Sequence, residues 1–310
     1  MITSTIGRTS LCVSILGLGA APLANLFREV PESQAVDTVR TALEAGVTLI
    51  DTAPRYGAGL SELRLGIALA TVPRKAYTIA TKVGWDIHPG ERPTPAFTRD
   101  GVLRGLEGSL ERLKVDYVDI VHIHDPDRHY EKAIEEVYPT LHELRNQGVI
   151  KAVSAGMNQW EMLRRFLHAG EFDCFMLAGR YTLLEQGALQ FLDECAQAGV
   201  GILAAGVFNS GILATGAIPT AKYSYRDAPA EIVEKTQQIE KICTSYDVPL
   251  AAAALQFPLG HPAVSTLVIG FSSPDRVAKN LANLEMEIPA ALWEELRESG
   301  LIAEECPLPP

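Results

Sequence analysis

Eight short apolar runs rich in β-branched residues recur along the chain, each followed by a stretch with helical character: VSILGLG, VTLID, AYTIATKV, YVDIVHIH, VIKAVSAG, FDCFMLAG, VGILAAG and STLVIG. No other feature constrains the fold as strongly. Strands that alternate with helices join in parallel through crossovers, and continuous rather than alternating apolarity means that both faces of each strand are covered. An open doubly wound sheet would carry a glycine-rich phosphate turn after its first strand. Here that turn is Gly17-Leu18-Gly19-Ala20-Ala21, without the third glycine and with Pro22 following at once. The pattern therefore predicts a closed (β/α)8 TIM barrel as a single domain over residues 1–310, with chemistry gathered at the carboxyl ends of the strands.

Punctuation along the chain agrees. Pro31-Glu32-Ser33 opens a helix that closes at Gly46, Thr98 and Asp100 open one running to about Leu113, and Gly148 and Gly170 follow their helices as stops. After the seventh strand comes a longer loop, Phe208 to Pro229, then extra helices near Ala230 to Tyr246 and Pro249 to Leu259. MITSTIGRTSLCV, centred on Gly7-Arg8, reads as a β-hairpin plugging the amino end of the barrel, and the Pro-rich segment over residues 86–97 is a candidate active-site lid.

Composition narrows the function classes. A formal net charge of -11 without a Lys/Arg run argues against nucleic acid and anionic membranes as partners. The polar start, MITSTIGRTS, lacks the apolar core of a signal peptide, and no apolar run is long enough to cross a bilayer, so the chain reads as cytoplasmic. The five cysteines are scattered and odd in number, which suits reduced, inert side chains, with Cys174 and Cys195 in the core.

Within IDTAPRYG, Asp51 ends a buried strand and Tyr56 follows in a Pro/Gly-bounded loop. A carboxylate at the mouth of an apolar strand needs a partner, and Lys82 at the end of strand three supplies one. His124 ends strand four. In YVDIVHIH, Val118, Ile120, His122 and His124 share one face, so His124 is nearest the rim and His122 lies a layer deeper or near a cofactor. A phenol has a reference pKa near about 10, and each unit of lowering requires about 1.4 kcal/mol of differential stabilisation. A nearby ammonium, kept charged by a carboxylate, can supply that. Asp51, Lys82 and Tyr56 thus form acid–base machinery for interconverting a carbonyl and an alcohol, with His124 aligning the substrate oxygen.

DTAPRYGAGLSELRLG, ATKVGW and DIVHIHDPD resemble the aldo/keto reductase superfamily, a (β/α) barrel family using nicotinamide cofactors, and the similarity covers essentially the whole chain. Asp51, Tyr56, Lys82 and His124 match its catalytic tetrad. GLGAAPLANLFREV, AGMNQW, LAGRYTLLEQ and GVFNSGIL resemble the branch of sugar and pyridoxal dehydrogenases. The resemblance implies an NAD(P)-dependent oxidoreductase, with oxidation of an aldose at C1 to the lactone as the leading activity. Its alternatives are pyridoxal 4-dehydrogenase, a general aldehyde/ketone reductase, or a non-catalytic nicotinamide-sensing subunit.

The cofactor-binding set so implied comprises Gly19, Asn158 and the strand-seven loop Gly206, Val207, Phe208, Asn209, Ser210 and Gly211. After strand eight it takes in Gly270, Ser272, Ser273, Arg276 and Asn280. Ser273 as N-cap with Pro274 next leaves free N–H groups at a positive helix end, and Arg276 adds a fork of donors for a phosphate. Three departures from the family pattern stand out. Gly270 and Phe271 replace the lysine and serine that meet the 2′-phosphate of NADP, which tilts the reading towards NAD. Ala205 replaces the tyrosine beneath the nicotinamide. Gly156-Met157 replaces a Ser-Asn pair, leaving Asn158 to hold the carboxamide.

Trp85, Asp125, Arg180 and Tyr181 are candidate substrate contacts, each of which could equally be loop or rim packing. Asp125 and Asp127 either meet sugar hydroxyls or only build the Asp-Pro-Asp turn. His122 and His124 could pair on a metal, but no further histidine stands at another strand end, so no metal is expected. Lys82 as a Schiff-base former is the remaining alternative.

Overall fold

A computed structural model of the chain describes residues 1–26, 28–88 and 90–309. Eight parallel strands, Leu16–Gly19, Leu49–Asp51, Thr78–Val83, Ile120–His124, Ala152–Met157, Cys174–Ala178, Gly201–Ala205 and Val264–Gly270, bond in chain order, and the eighth returns to the first to close the barrel. Six fall within one of the eight apolar runs, and Ala152–Met157 and Val264–Gly270 overrun theirs by one residue. Their side chains are buried almost without a break because the interior covers one face and the outer helices the other.

The helices begin and end close to their signals. Glu32–Glu44 starts directly after Pro31, and Arg99–Leu113 is capped by Thr98, whose hydroxyl accepts from the Gly101 N–H at 3.1 Å. Gly170 ends its helix in extended rather than left-handed backbone. It is small for want of room, since a Cβ there would fall 2.6 Å from the Tyr138 ring. Ala230–Ser245, Leu250–Gln256, Pro274–Glu285 and Ala290–Glu298 are α-helices beyond the strand-seven loop that precede or follow the last barrel strand.

Thr3–Thr5 pairs antiparallel with Cys12–Ser14, the expected hairpin. Its Ile6, Leu11 and Val13 are buried among Leu49, Ala80, Ile120, Ala152, Cys174 and Leu203, so the hairpin stoppers the amino end of the barrel. Gly7 makes this fit possible: its φ is +50°, and a Cβ would lie 2.6 Å from the Asp173 carbonyl oxygen and 2.7 Å from that of Gly199.

In the Pro-rich segment, whose role as a lid the sequence leaves open, Trp85–Asp86 pairs with Thr94–Pro95, and Phe97, 2% exposed, packs edge-on against Trp85 at 5.5 Å. Pro89 in this segment, like Phe27 in the loop after strand one, lies outside the described residues. Among the described residues the five cysteines are free, and no helix is long and apolar enough to cross a membrane.

Candidate active site

Neighbouring strands deliver the four expected residues to one rim. Asp51 is the last residue of strand two, Lys82 the penultimate residue of strand three, and His124 the last of strand four. Lys82 and Asp51 are each only 2% exposed. The Lys82 ammonium donates to Asp51 Oδ1 at 2.6 Å, Oδ2 at 2.7 Å and the Thr52 carbonyl oxygen at 2.8 Å. Burial alone would discharge such an amine, but its attraction to Asp51 and Tyr56 holds the Lys82 pKa above the ordinary value. Lys82 is therefore held as an ammonium at the barrel mouth, in an ion pair that is neutral overall.

Tyr56 stands beside it, with Lys82 Nζ 5.0 Å from the ring centroid. Lys82 does lower the phenol's pKa, as the sequence implies, but the net shift is upward, which corrects the expectation of an acidified phenol. Burial is the strongest influence on Tyr56 and pushes it up to about 12; Lys82 opposes this, while Asp51 and Asp125 add to it. A cation already matched by a carboxylate cannot overcome desolvation of the phenolate. The resting phenol is a proton donor, and Lys82 limits the cost of ionising it.

The imidazole of His124 meets the Tyr56 ring edge-on at 6.0 Å. Burial, reinforced by Lys82, Arg55 and His122, holds its pKa well below the ordinary value, so the ring is neutral at pH 7 and can donate one hydrogen bond to a substrate oxygen. His122 lies a layer deeper, as its strand position predicts. Its Nδ1 is 2.7 Å from Ser154 Oγ and its Nε2 3.6 Å from Asp51 Oδ1, and it too is held neutral by burial and by Lys82. Among the described residues no cluster of three or more His, Cys, Asp or Glu side chains could hold a metal.

Sequence reasoning missed a brace behind the tetrad. Glu62, fully buried, accepts from Arg112 Nε at 2.7 Å and from Thr81 Oγ1 at 2.7 Å, tying the helix after Tyr56 to strand three beside Lys82. Ser61 Oγ likewise lies 2.8 Å from Thr52 Oγ1 and donates to the Ala20 carbonyl oxygen at 3.1 Å. Both lie in the quoted GLSELR, but a polar residue on a helix carries no signal that its face is buried.

On the substrate side, Trp85 Nε1 donates to the His124 carbonyl oxygen at 2.7 Å, which fixes the strand end that presents the imidazole. Arg55, a second omission, lies over the Trp85 ring at 4.7 Å and bonds Asp125 Oδ2 at 2.8 Å; that same oxygen is 3.7 Å from His124 Nε2. Trp85 and Asp125 thus border the reacting end. Arg180 and Tyr181 do not. Arg180 is bound to Glu185 at 2.5 Å, and Tyr181, 2% exposed, stacks on Phe257 at 5.3 Å. The apolar ring gains more by packing between the loop and the neighbouring helix than by facing the opening.

A cavity of about 520 Å³ opens between the strand ends, within the usual size range of ligand sites. Asp51 and Tyr56 line it together with the predicted Gly19, Gly206, Val207, Phe208, Asn209, Ser210, Gly211, Gly270, Ser272 and Arg276. Three predicted cofactor residues are not in its lining. Ser273 is the N-cap of Pro274–Glu285, Asn280 donates to the Arg276 carbonyl oxygen at 2.8 Å, and Asn158 Nδ2 donates to the Ala178 carbonyl oxygen at 2.7 Å. Ala205 does line the cavity and brings no ring; Phe208 and Tyr225, in the loop after strand seven, are aromatic residues that line it. The lining fits a nicotinamide dinucleotide, with small apolar strand ends beside Tyr56 for a flat ring and guanidinium groups for phosphates.

Comparison with known proteins agrees with this geometry. The model of the aldo/keto reductase family matches residues 15–300. The chain is 39% identical to D-threo-aldose 1-dehydrogenase of a Pseudomonas species, over 94% of this chain and 95% of that one. It is 38% identical to pyridoxal 4-dehydrogenase of Microbacterium luteolum, over 96% and 97% of the two chains. Among solved structures, the holo form of an aldo-keto reductase from Bacillus halodurans superposes with a TM-score of 0.81 at 24% identity, covering 96% of each chain, which shows the fold. With the matched span enclosing all eight barrel strands and the four rim residues, the chain belongs to the aldo/keto reductase family and is an oxidoreductase.

Proposed function

We propose that the protein oxidises the C1 hemiacetal hydroxyl of an aldose to the lactone, using a nicotinamide dinucleotide. The bound nicotinamide supplies the acceptor for the two electrons and the hydrogen that leave C1. The side chains handle the proton. His124 donates a hydrogen bond to the reacting oxygen, and Tyr56, as the phenolate that Lys82 stabilises, takes the hydroxyl proton as the C1–O bond becomes a carbonyl. In reduction the neutral phenol gives that proton back. Asp51 keeps Lys82 charged throughout.

The observation that carries the choice of an aldose is the Arg55–Asp125 pair, 2.8 Å apart with Asp125 Oδ2 3.7 Å from His124 Nε2. It puts a forked donor and a carboxylate acceptor beside His124, the two features that neighbouring sugar hydroxyls would require. The similarity to D-threo-aldose 1-dehydrogenase supports the same choice. A second reading, oxidation of pyridoxal, is favoured by the second relative and by the Trp85 ring bordering the site. Pyridoxal also closes to a cyclic hemiacetal, so the same proton transfer would serve.

The test pairs each oxidised dinucleotide with a panel of aldoses, pyridoxal and simple aldehydes and follows the near-ultraviolet absorbance of the reduced nicotinamide. Turnover of one or more aldoses at higher kcat/KM than pyridoxal is expected. A preference for pyridoxal selects the second reading, and dinucleotide binding without turnover of any substrate selects a sensing subunit.

A further inference from the structure

In the family pattern, the 2′-phosphate of NADP meets a lysine and a serine at the end of strand eight, and this chain has Gly270 and Phe271 there. The structure shows why neither position could serve. A Cβ on residue 270 would lie 2.8 Å from Pro22 Cγ, and Phe271 is fully buried. Pro22, in the turn after strand one, occupies the space such a lysine would need.

The same connection returns a charge a few residues later. Arg28 lines the cavity and donates from Nη2 to Ser272 Oγ at 3.1 Å, bringing its guanidinium to the residue that follows Phe271. Ser272 is itself held from behind, because Gln34 Nε2 donates to its carbonyl oxygen at 2.6 Å. Arg276, in the first turn of Pro274–Glu285, lines the same cavity. Among the described residues, neither Arg28 nor Arg276 is ion-paired with any of the carboxylates. The acids next to them in the chain, Glu29 and Asp275, are exposed and do not line the cavity. Two unpaired guanidinium groups facing one wall repel each other and together suit a dianion, which each can grip through a fork of N–H donors.

We infer that Arg28 is a cofactor-specificity residue: with Arg276 and the Ser272 hydroxyl it forms a subsite for the 2′-phosphate of NADP, replacing from the strand-one loop the groups missing from the end of strand eight. The sequence-based tilt towards NAD is thereby reversed. A chain that discriminated for NAD would instead offer a carboxylate to the ribose 2′-hydroxyl, and none lines this part of the cavity.

The inference rests on the dinucleotide site proposed above, and isothermal titration with two fragments separates the two claims. Adenosine 2′,5′-bisphosphate and adenosine 5′-monophosphate differ only in the 2′-phosphate. The intact enzyme should bind the bisphosphate more tightly by about 10- to 100-fold, the value of one or two charged hydrogen bonds. Arg28→Ala should erase most of that ratio while leaving the monophosphate unchanged, and Arg28→Lys should restore part of it. Arg28 is exposed, so neither change threatens folding. Equal affinities for the two nucleotides in the intact enzyme, or an unchanged ratio in Arg28→Ala, overturns the inference while the dinucleotide site stands. Failure of both nucleotides to bind overturns that site as well. Steady-state kcat/KM for NADP against NAD should follow the same order.

Discussion

The charges that matter chemically are few, and their effects can be separated by titration. With the Tyr56 phenol pushed up to about 12, its ionised fraction grows about tenfold for each unit of pH across the neutral and mildly alkaline range. Because oxidation needs the phenolate and reduction the phenol, kcat for oxidation should climb steadily from about pH 7 to about pH 10, while kcat for reduction stays level. An oxidation profile already flat at about pH 7 would place the ionisation elsewhere. Neutral His124 adds no titration of its own in that window, since its pKa is displaced downward. Asp51 has a different task, which is to keep the buried ammonium charged. Asp51→Asn removes the counter-charge and leaves Lys82 uncompensated, which costs about 3–5 kcal/mol of stability, to be read from denaturant melts. Parental stability in Asp51→Asn would mean that Lys82 sheds its proton without penalty.

The elements divide the labour between the ends of the barrel. At the amino end the hairpin over Thr3–Ser14 supplies Ile6, Leu11 and Val13 to an interior that the barrel strands alone do not fill. Ile6→Ala should cost about 2–5 kcal/mol by leaving a cavity, with kcat little changed in the folded fraction, because the plug touches none of the rim residues. A fall in kcat without loss of stability would contradict that separation. The strands and this plug were legible in the sequence because continuous apolar runs, a central Gly-Arg and the barrel's own topology leave few alternatives. Asp51, Lys82 and His124 were legible for the same reason, since a residue at a strand end is placed once the strand is placed. Loop residues follow no such period. Arg28 reaches Ser272 across more than two hundred positions, and Arg55 turns onto Trp85 and Asp125; neither path is encoded in spacing. The same gap left Tyr181 open, since an aromatic residue beyond a strand end could face the opening or the helices, and burial against Phe257 decides the matter.

At the scale of the whole molecule, eight parallel strands converge their carboxyl ends on one cavity. The candidate acid–base groups come from strands two to four and the loop after strand two, and most of the remaining cavity lining comes from strands one, six, seven and eight and the loops that follow them. The helix after Tyr56 is tied to the strand bearing Lys82 by the Thr81–Glu62 hydrogen bond, and Arg112 holds the other Glu62 oxygen. Such a scaffold allows the reacting group to be removed without disturbing the rest. The most direct measurement is therefore kcat of Tyr56→Phe beside its dissociation constant for the reduced dinucleotide, followed by fluorescence. Loss of the proton carrier should lower kcat by about 10²- to 10⁴-fold with dinucleotide affinity unchanged. Turnover at the parent rate in Tyr56→Phe would contradict the assignment of the phenol that Lys82 supports as the group that carries the proton.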